Sequence, residues 1–135
     1  MARRSRGREV ALQVLYQDDL NPRHNPADDE QFVRNRLQVP ELIEFANGLV
    51  AGVRRNRPEL DQLLAQTADH WSLERMAAMD RNVLRLGAYE ILHSETPRNV
   101  TINEAVELAK RFGSKQSAQF VNGILDRLVA GHDKS

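Results

Sequence analysis

Apolar residues recur along this chain at helical spacing, and no segment shows the period-two alternation of a half-buried strand. Ala11, Leu12, Leu15 and Tyr16 share one face, widened by Val10 and Val14, which predicts a helix over residues 5–20. Asn21, Pro22, Asn25 and Pro26 end it, and Asp28 or Asp29 caps a short helix running to about Leu37 before Pro40. Leu42, Phe45, Ala46, Leu49, Val50 and Val53 form one stripe over residues 41–56. Pro58, suited to a first helical turn, opens a fourth helix with Leu60, Leu63, Leu64 and Thr67 inward, and Trp71 closes the corner behind it.

In the second half, Ser72 with Glu74 and Arg75 marks one helix start. Asp80 marks another, leading into Val83, Leu84, Gly87, Ala88, Ile91 and Leu92. Thr101 and Glu104 have capping-box spacing and open a helix through Ala105, Leu108, Ala109 and Phe112 that Gly113 terminates. The chain restarts at Ser114 or Ser117. Phe120, Val121, Ile124, Leu125, Leu128 and Val129 then trace a last helix ending at Gly131. About seven helices joined by short loops make the class all-α, in one domain of two packed helical subdomains, 1–70 and 71–135. The inward stripes place Leu12, Leu15, Leu84, Ile91, Phe120, Ile124 and Leu125 in the core.

The segment Phe45-Ala46-Asn47-Gly48-Leu49-Val50 matches Phe120-Val121-Asn122-Gly123-Ile124-Leu125 in type and spacing. Either two amphipathic helices coincide, or each subdomain carries a tightly packed central helix. A glycine inside a helix costs ~1 kcal/mol relative to alanine, so close helix approach is the expected reason for Gly48 and Gly123.

At 135 residues, 41% hydrophobic and 28% charged, the composition is that of a folded globular chain. The absence of cysteine excludes disulfides, thiolate zinc sites, iron–sulfur clusters and a cysteine nucleophile. No apolar run reaches the ~20 residues of a membrane span, and the arginine-rich start lacks the apolar core of a signal peptide, so a cytoplasmic location is expected. His24, His70, His93 and His132 show no metal-ligand spacing and read as surface histidines; the serines lack a Gly-x-Ser-x-Gly elbow, and no glycine-rich phosphate loop precedes a helix. Catalysis, a metal and a cofactor are therefore not expected. Asp18-Asp19 and Asp28-Asp29-Glu30 read as a solvated acidic face.

The net charge of zero hides a basic head, with Arg3, Arg4, Arg6 and Arg8 against Glu9. Four cations in a first helical turn oppose the helix dipole, a poor arrangement for stability and a sensible one for phosphates. Lys110, Arg111 and Lys115 form a second basic group around Phe112, a combination that suits single-stranded RNA. Phe112 also fits the core stripe of its own helix, and cations are favoured near any helix C-terminus.

Four ordered motifs resemble the NusB family of bacterial transcription antitermination factors: Arg8-Glu9-Val10-Ala11-Leu12-Gln13-Val14-Leu15-Tyr16; Asp80-Arg81-Asn82-Val83-Leu84-Arg85-Leu86 with Tyr89-Glu90; Ile102-Asn103-Glu104-Ala105-Val106-Glu107-Leu108-Ala109-Lys110-Arg111-Phe112-Gly113; and Ser117 with Phe120-Val121-Asn122-Gly123-Ile124-Leu125. The resemblance implies pairing with the ribosomal protein NusE, binding of boxA RNA in nascent ribosomal RNA, and read-through of terminators by RNA polymerase, without catalysis. It implies phosphate contacts at Arg3, Arg4, Arg6 and Arg8, and secondary RNA contacts at Tyr16, Phe112, Lys115, Gln116 and Ser117. Two positions depart from the family pattern: Gly7 where alanine is frequent, and Lys115-Gln116 where an acidic pair is common. The same module occurs fused to an RNA methyltransferase, for which 135 residues leave no room. Asp80, Arg81 and Arg85 are the expected partner-docking charges, and a helical adaptor binding only protein is the alternative. Monomer and homodimer both stay open.

Overall fold

The computed structural model describes residues 2–69 and 71–133; His70 and Ser135 lie outside them. Among the described residues there are six α-helices and no strand: α1 (Ala2–Leu20), α2 (Asp29–Leu37), α3 (Pro40–Thr67), α4 (Ala78–His93), α5 (Arg98–Phe112) and α6 (Ser117–Asp133), with 3₁₀ turns at Pro26–Asp28 and Leu73–Arg75. No helix is long and apolar enough to cross a membrane.

Local chemistry explains most boundaries. The Asn25 side chain accepts from the Ala27 N–H at 3.0 Å to start the 3₁₀ turn, and Asp29 and Glu30 then occupy the first turn of α2, where the helix dipole favours them. At its end Gln38 adopts a left-handed conformation (φ 61°) that turns the chain into α3. Gly113 stops α5, and Ser117 starts α6 with its hydroxyl accepting the Ser114 N–H at 2.8 Å.

Other boundaries follow tertiary packing instead. The two stripes expected on either side of Pro58 run together as the single 28-residue α3. Proline removes one backbone bond, but Leu49, Val50 and Val53 before it and Leu60 and Leu64 after it are buried in the same core, which holds the helix continuous. Ser72 opens only a 3₁₀ turn. Thr101 does not cap α5: the helix begins at Arg98, so Thr101 lies inside it, 1% exposed, with its hydroxyl unpartnered among the described residues. Gly131 does not end α6, which continues to Asp133.

One apolar core runs through both groups of helices, with α1 against α3 and α4, α2 against α1 and α3, and α4 central against α1, α3, α5 and α6. Leu12, Leu15, Leu84, Ile91, Ile124 and Leu125 are buried as expected. Phe120 is only half-buried, and Trp71 does not close a corner: it is 54% exposed and meets the Phe120 ring edge-on. Gly48 and Gly123 correct the sequence reading too, because a Cβ on either would find no atom within 4 Å. Close approach occurs elsewhere, at Gly52, where a Cβ would fall inside the Tyr89 ring, and at Gly7, where it would come 2.8 Å from Phe45. The departure at Gly7 therefore lets Phe45 pack against the start of α1.

Candidate nucleic-acid interface

The arginines at the start of α1 divide by helical position. Arg3 and Arg4 are exposed, and the Arg4 guanidinium lies 4.6 Å from the centre of the Phe45 ring, a cation–π contact that holds it near the helix. Arg8 is 3% exposed. Its Nε and Nη2 each donate to the Glu90 carboxylate at 2.8 Å, and its Nη1 donates to Glu104 at 3.1 Å. Burial pulls the Arg8 pKa down, but hydrogen bonds and charge from Glu90 and Glu104 outweigh it and hold it above its ordinary value. Arg8 is thus corrected from a phosphate contact to an internal clamp between α1, α4 and α5.

Arg6 faces the other way, and Glu9 carries the geometry there. The Glu9 carboxylate accepts from Arg6 at 2.9 Å and from Arg111, near the end of α5, at 2.6 Å. Two basic clusters about a hundred residues apart therefore meet across one carboxylate. Around them Lys110, Arg111, Glu104 and Glu107 line a shallow groove with Ser5 and Arg6. Lys110 makes only an exposed 3.5 Å pair with Glu107, and Arg111 lies 5.4 Å from the Phe112 ring, which is half-buried against the core. Lys115 and Gln116 are exposed on the α5–α6 loop. Ser117 is 1% exposed, and its hydroxyl shapes that loop, so it is not placed to touch RNA. Tyr16 lies farther along α1, in a groove with Gln17, His24, Phe32, Arg36 and Met79.

The expected docking charges also separate. Arg81 donates to Asp19 at 2.8 Å and to the carbonyls of Leu73 and Met76. Arg85, 4% exposed, donates to both oxygens of Asp61 at 2.7 and 3.0 Å and to Asp19 at 3.4 Å. Burial would raise the Asp19 pKa, but the hydrogen bonds of Arg81 and Asn82 and the charges of Arg81 and Arg85 hold it below the ordinary carboxylate value. Arg81 and Arg85 join α1, α3 and α4 from within, a correction to their reading as docking charges. Asp80, in the first turn of α4, is partly exposed, with one buried carboxylate oxygen unpartnered among the described residues.

The acidic stretch divides: Asp28 and Glu30 are solvated as expected, whereas Asp18, Asp19 and Asp29 are held in internal ion pairs. Arg54 donates to Asp18 at 2.7 and 2.8 Å and to Asp29 at 2.6 Å, and His24 Nε2 sits 2.6 Å from Asp29, so His24 is part of a network and not a free surface histidine. Asp18, His24 and Asp29 lie close enough to share a cation, and the Arg54 guanidinium already fills that role. Sequence reading missed Glu9, Glu90, Asp19 and Asp61 as organisers. A usable signal existed for Glu90, a carboxylate in the stripe of buried α4 positions, which demands a cationic partner.

The NusB family model matches residues 5–130. The transcription antitermination protein NusB of Myxococcus xanthus is 43% identical over 144 residues, with 99% of each chain covered. A solved structure of T. maritima NusB superposes with a TM-score of 0.84 at 37% identity, covering 94% of this chain and 90% of that one. A structure of the antitermination factors NusB and NusE in complex with double-stranded RNA superposes with a TM-score of 0.85 at 28% identity, covering 97% and 98%. With matched sequence, fold and helical core over nearly its whole length, the chain belongs to the NusB family.

Proposed function

We propose that this chain is a transcription antitermination factor that, together with a NusE-type ribosomal protein, binds boxA RNA of nascent ribosomal RNA transcripts and helps RNA polymerase read through terminators. The role is one of binding, with no catalytic step and no cofactor, in the cytoplasm where nascent transcripts are made. The observation that carries it is the meeting of Arg6 from α1 and Arg111 from α5 across Glu9, with Lys110 lining the same groove and Arg3, Arg4 and Lys115 exposed at the start of α1 and on the α5–α6 loop. Phosphates are read by such a basic edge without regard to sequence, so base discrimination must come from other contacts and from the partner.

Asp80 remains the candidate docking charge of the partner half: it is partly exposed at the start of α4 and, unlike Arg81 and Arg85, makes no internal ion pair among the described residues. Filter binding to boxA RNA and to a scrambled RNA, with and without the ribosomal partner, tests the proposal. Expected is weak, salt-sensitive binding by the chain alone and a preference for boxA that grows when the partner is added. No RNA binding under either condition would favour an adaptor that binds only protein.

A further inference from the structure

Trp71 is the largest exposed apolar side chain among the described residues and the only tryptophan in the sequence. Its backbone is fixed, the N–H donating to the Ala68 carbonyl at 2.9 Å. Its ring meets Phe120 at a centroid distance of 5.3 Å and an interplanar angle of 76°. This edge-to-face contact braces the indole while more than half of its surface stays open to solvent. One turn beyond Phe120 on α6 stands Gly123, where a Cβ would meet nothing within 4 Å. No packing within the chain accounts for a glycine at that position, and it leaves a bare strip of helix beside the two rings. The Gln116 carbonyl accepts the Phe120 N–H at 3.1 Å, so the exposed Lys115–Gln116 loop lies directly before the aromatic pair. Arg127, two turns after Phe120 and half-exposed, stands on the same face, in a long 3.7 Å pair with the exposed carboxylate of Asp69. From Gln116 to Arg127 the strip is about 16 Å long by helix rise.

We infer that Trp71, ordered by Phe120, is a stacking platform for an unpaired nucleobase, with Gly123 leaving room for it and Lys115 and Arg127 flanking it to hold the adjoining phosphates. The inference rests on the RNA-binding reading above and extends the contact surface from the basic edge along α6. A polyanion is favoured over a hydrophobic protein surface here: Lys115 is exposed, Arg127 can leave its long, solvent-open pair with Asp69 for a phosphate, and stacking is open to every base.

The single tryptophan makes the test direct. The full chain is titrated with boxA RNA and, separately, with inorganic polyphosphate, following indole emission together with filter-binding affinity, in the wild type, Trp71→Ala and Trp71→Phe. Expected are saturable quenching by RNA and none by polyphosphate, about a tenfold loss of RNA affinity in Trp71→Ala with an unchanged salt slope, and recovery of most of it in Trp71→Phe. Trp71→Ala gives up the Phe120 contact, so thermal melts of both variants set a temperature at which all three proteins are folded, and the affinities are compared there. RNA that binds without quenching, and with equal affinity to Trp71→Ala, overturns the inference and leaves the RNA reading standing. If Trp71→Ala instead weakens only the ribosomal partner, the platform serves protein. If no RNA binds with or without the partner, both the reading and the inference fall.

Discussion

Arg6 and Arg8 are chemically identical and two residues apart, yet one borders a solvent groove and the other lies against two carboxylates inside the fold. Arg8→Ala leaves the buried Glu90 carboxylate without its bidentate partner and should cost about 3 to 5 kcal/mol of stability in denaturant melts. Replacing Arg3 or Arg4 should change stability by less than about 0.5 kcal/mol while weakening RNA binding. Equal, small stability effects at all three positions would contradict the division. The division was not legible in the sequence, because Glu90 and Glu104 reach Arg8 across separations of 82 and 96 residues. Asp19 yields a second prediction. Its folded pKa is depressed, so its contribution to stability is present above the unfolded carboxylate value and is lost as pH falls through the lower, folded one. Stability measured from pH 6 down to pH 2 should therefore decline less steeply in Asp19→Asn than in the wild type, from a lower starting value; parallel profiles would show that Asp19 is not linked to the acid transition.

At the level of elements, stripe positions were legible and helix ends less so. The stripes of α4 and α6 place Leu84 and Ile124 at 0% and 1% exposure, and truncation of either to alanine should cost about 2 to 5 kcal/mol. A change below half a kilocalorie at both would mean that the core is elsewhere. Pro58 marks where local signals mislead: proline announces a helix start, but stripes on both sides bury into one core, and packing energy overrides the missing bond. Pro58→Ala restores a backbone donor at a gain of up to ~3 kcal/mol and returns up to ~1 kcal/mol of entropy to the unfolded chain, so a net stabilisation of about 2 kcal/mol is expected in thermal or denaturant melts. A loss of stability would show that α3 depends on the proline. Thr101 failed as a cap for a similar reason: Glu104 has a better partner in Arg8 than a backbone N–H.

For the whole molecule, zero net charge conceals an edge on which Arg6, Lys110 and Arg111 face Glu9, Glu104 and Glu107. Such a balanced groove attracts phosphates only weakly, which makes partner dependence a physical expectation. The sequence showed both basic groups, but only the topology, with α5 returning beside α1, makes them neighbours. If the ribosomal partner raises the affinity for RNA, RNA must raise the affinity for the partner by the same factor, typically 5- to 150-fold. Charge reversal at Asp80 should lower RNA affinity only when the partner is present. The most direct test of the central claim is the salt dependence of boxA binding by the wild type and by the Arg3→Ala, Arg4→Ala, Arg6→Ala triple variant, each with saturating partner. If about three phosphates meet these arginines, the logarithmic slope should flatten by about 2, with affinity lost equally for matched and scrambled RNA. A triple variant that keeps the wild-type slope and affinity would place the RNA on another surface and contradict the basic edge.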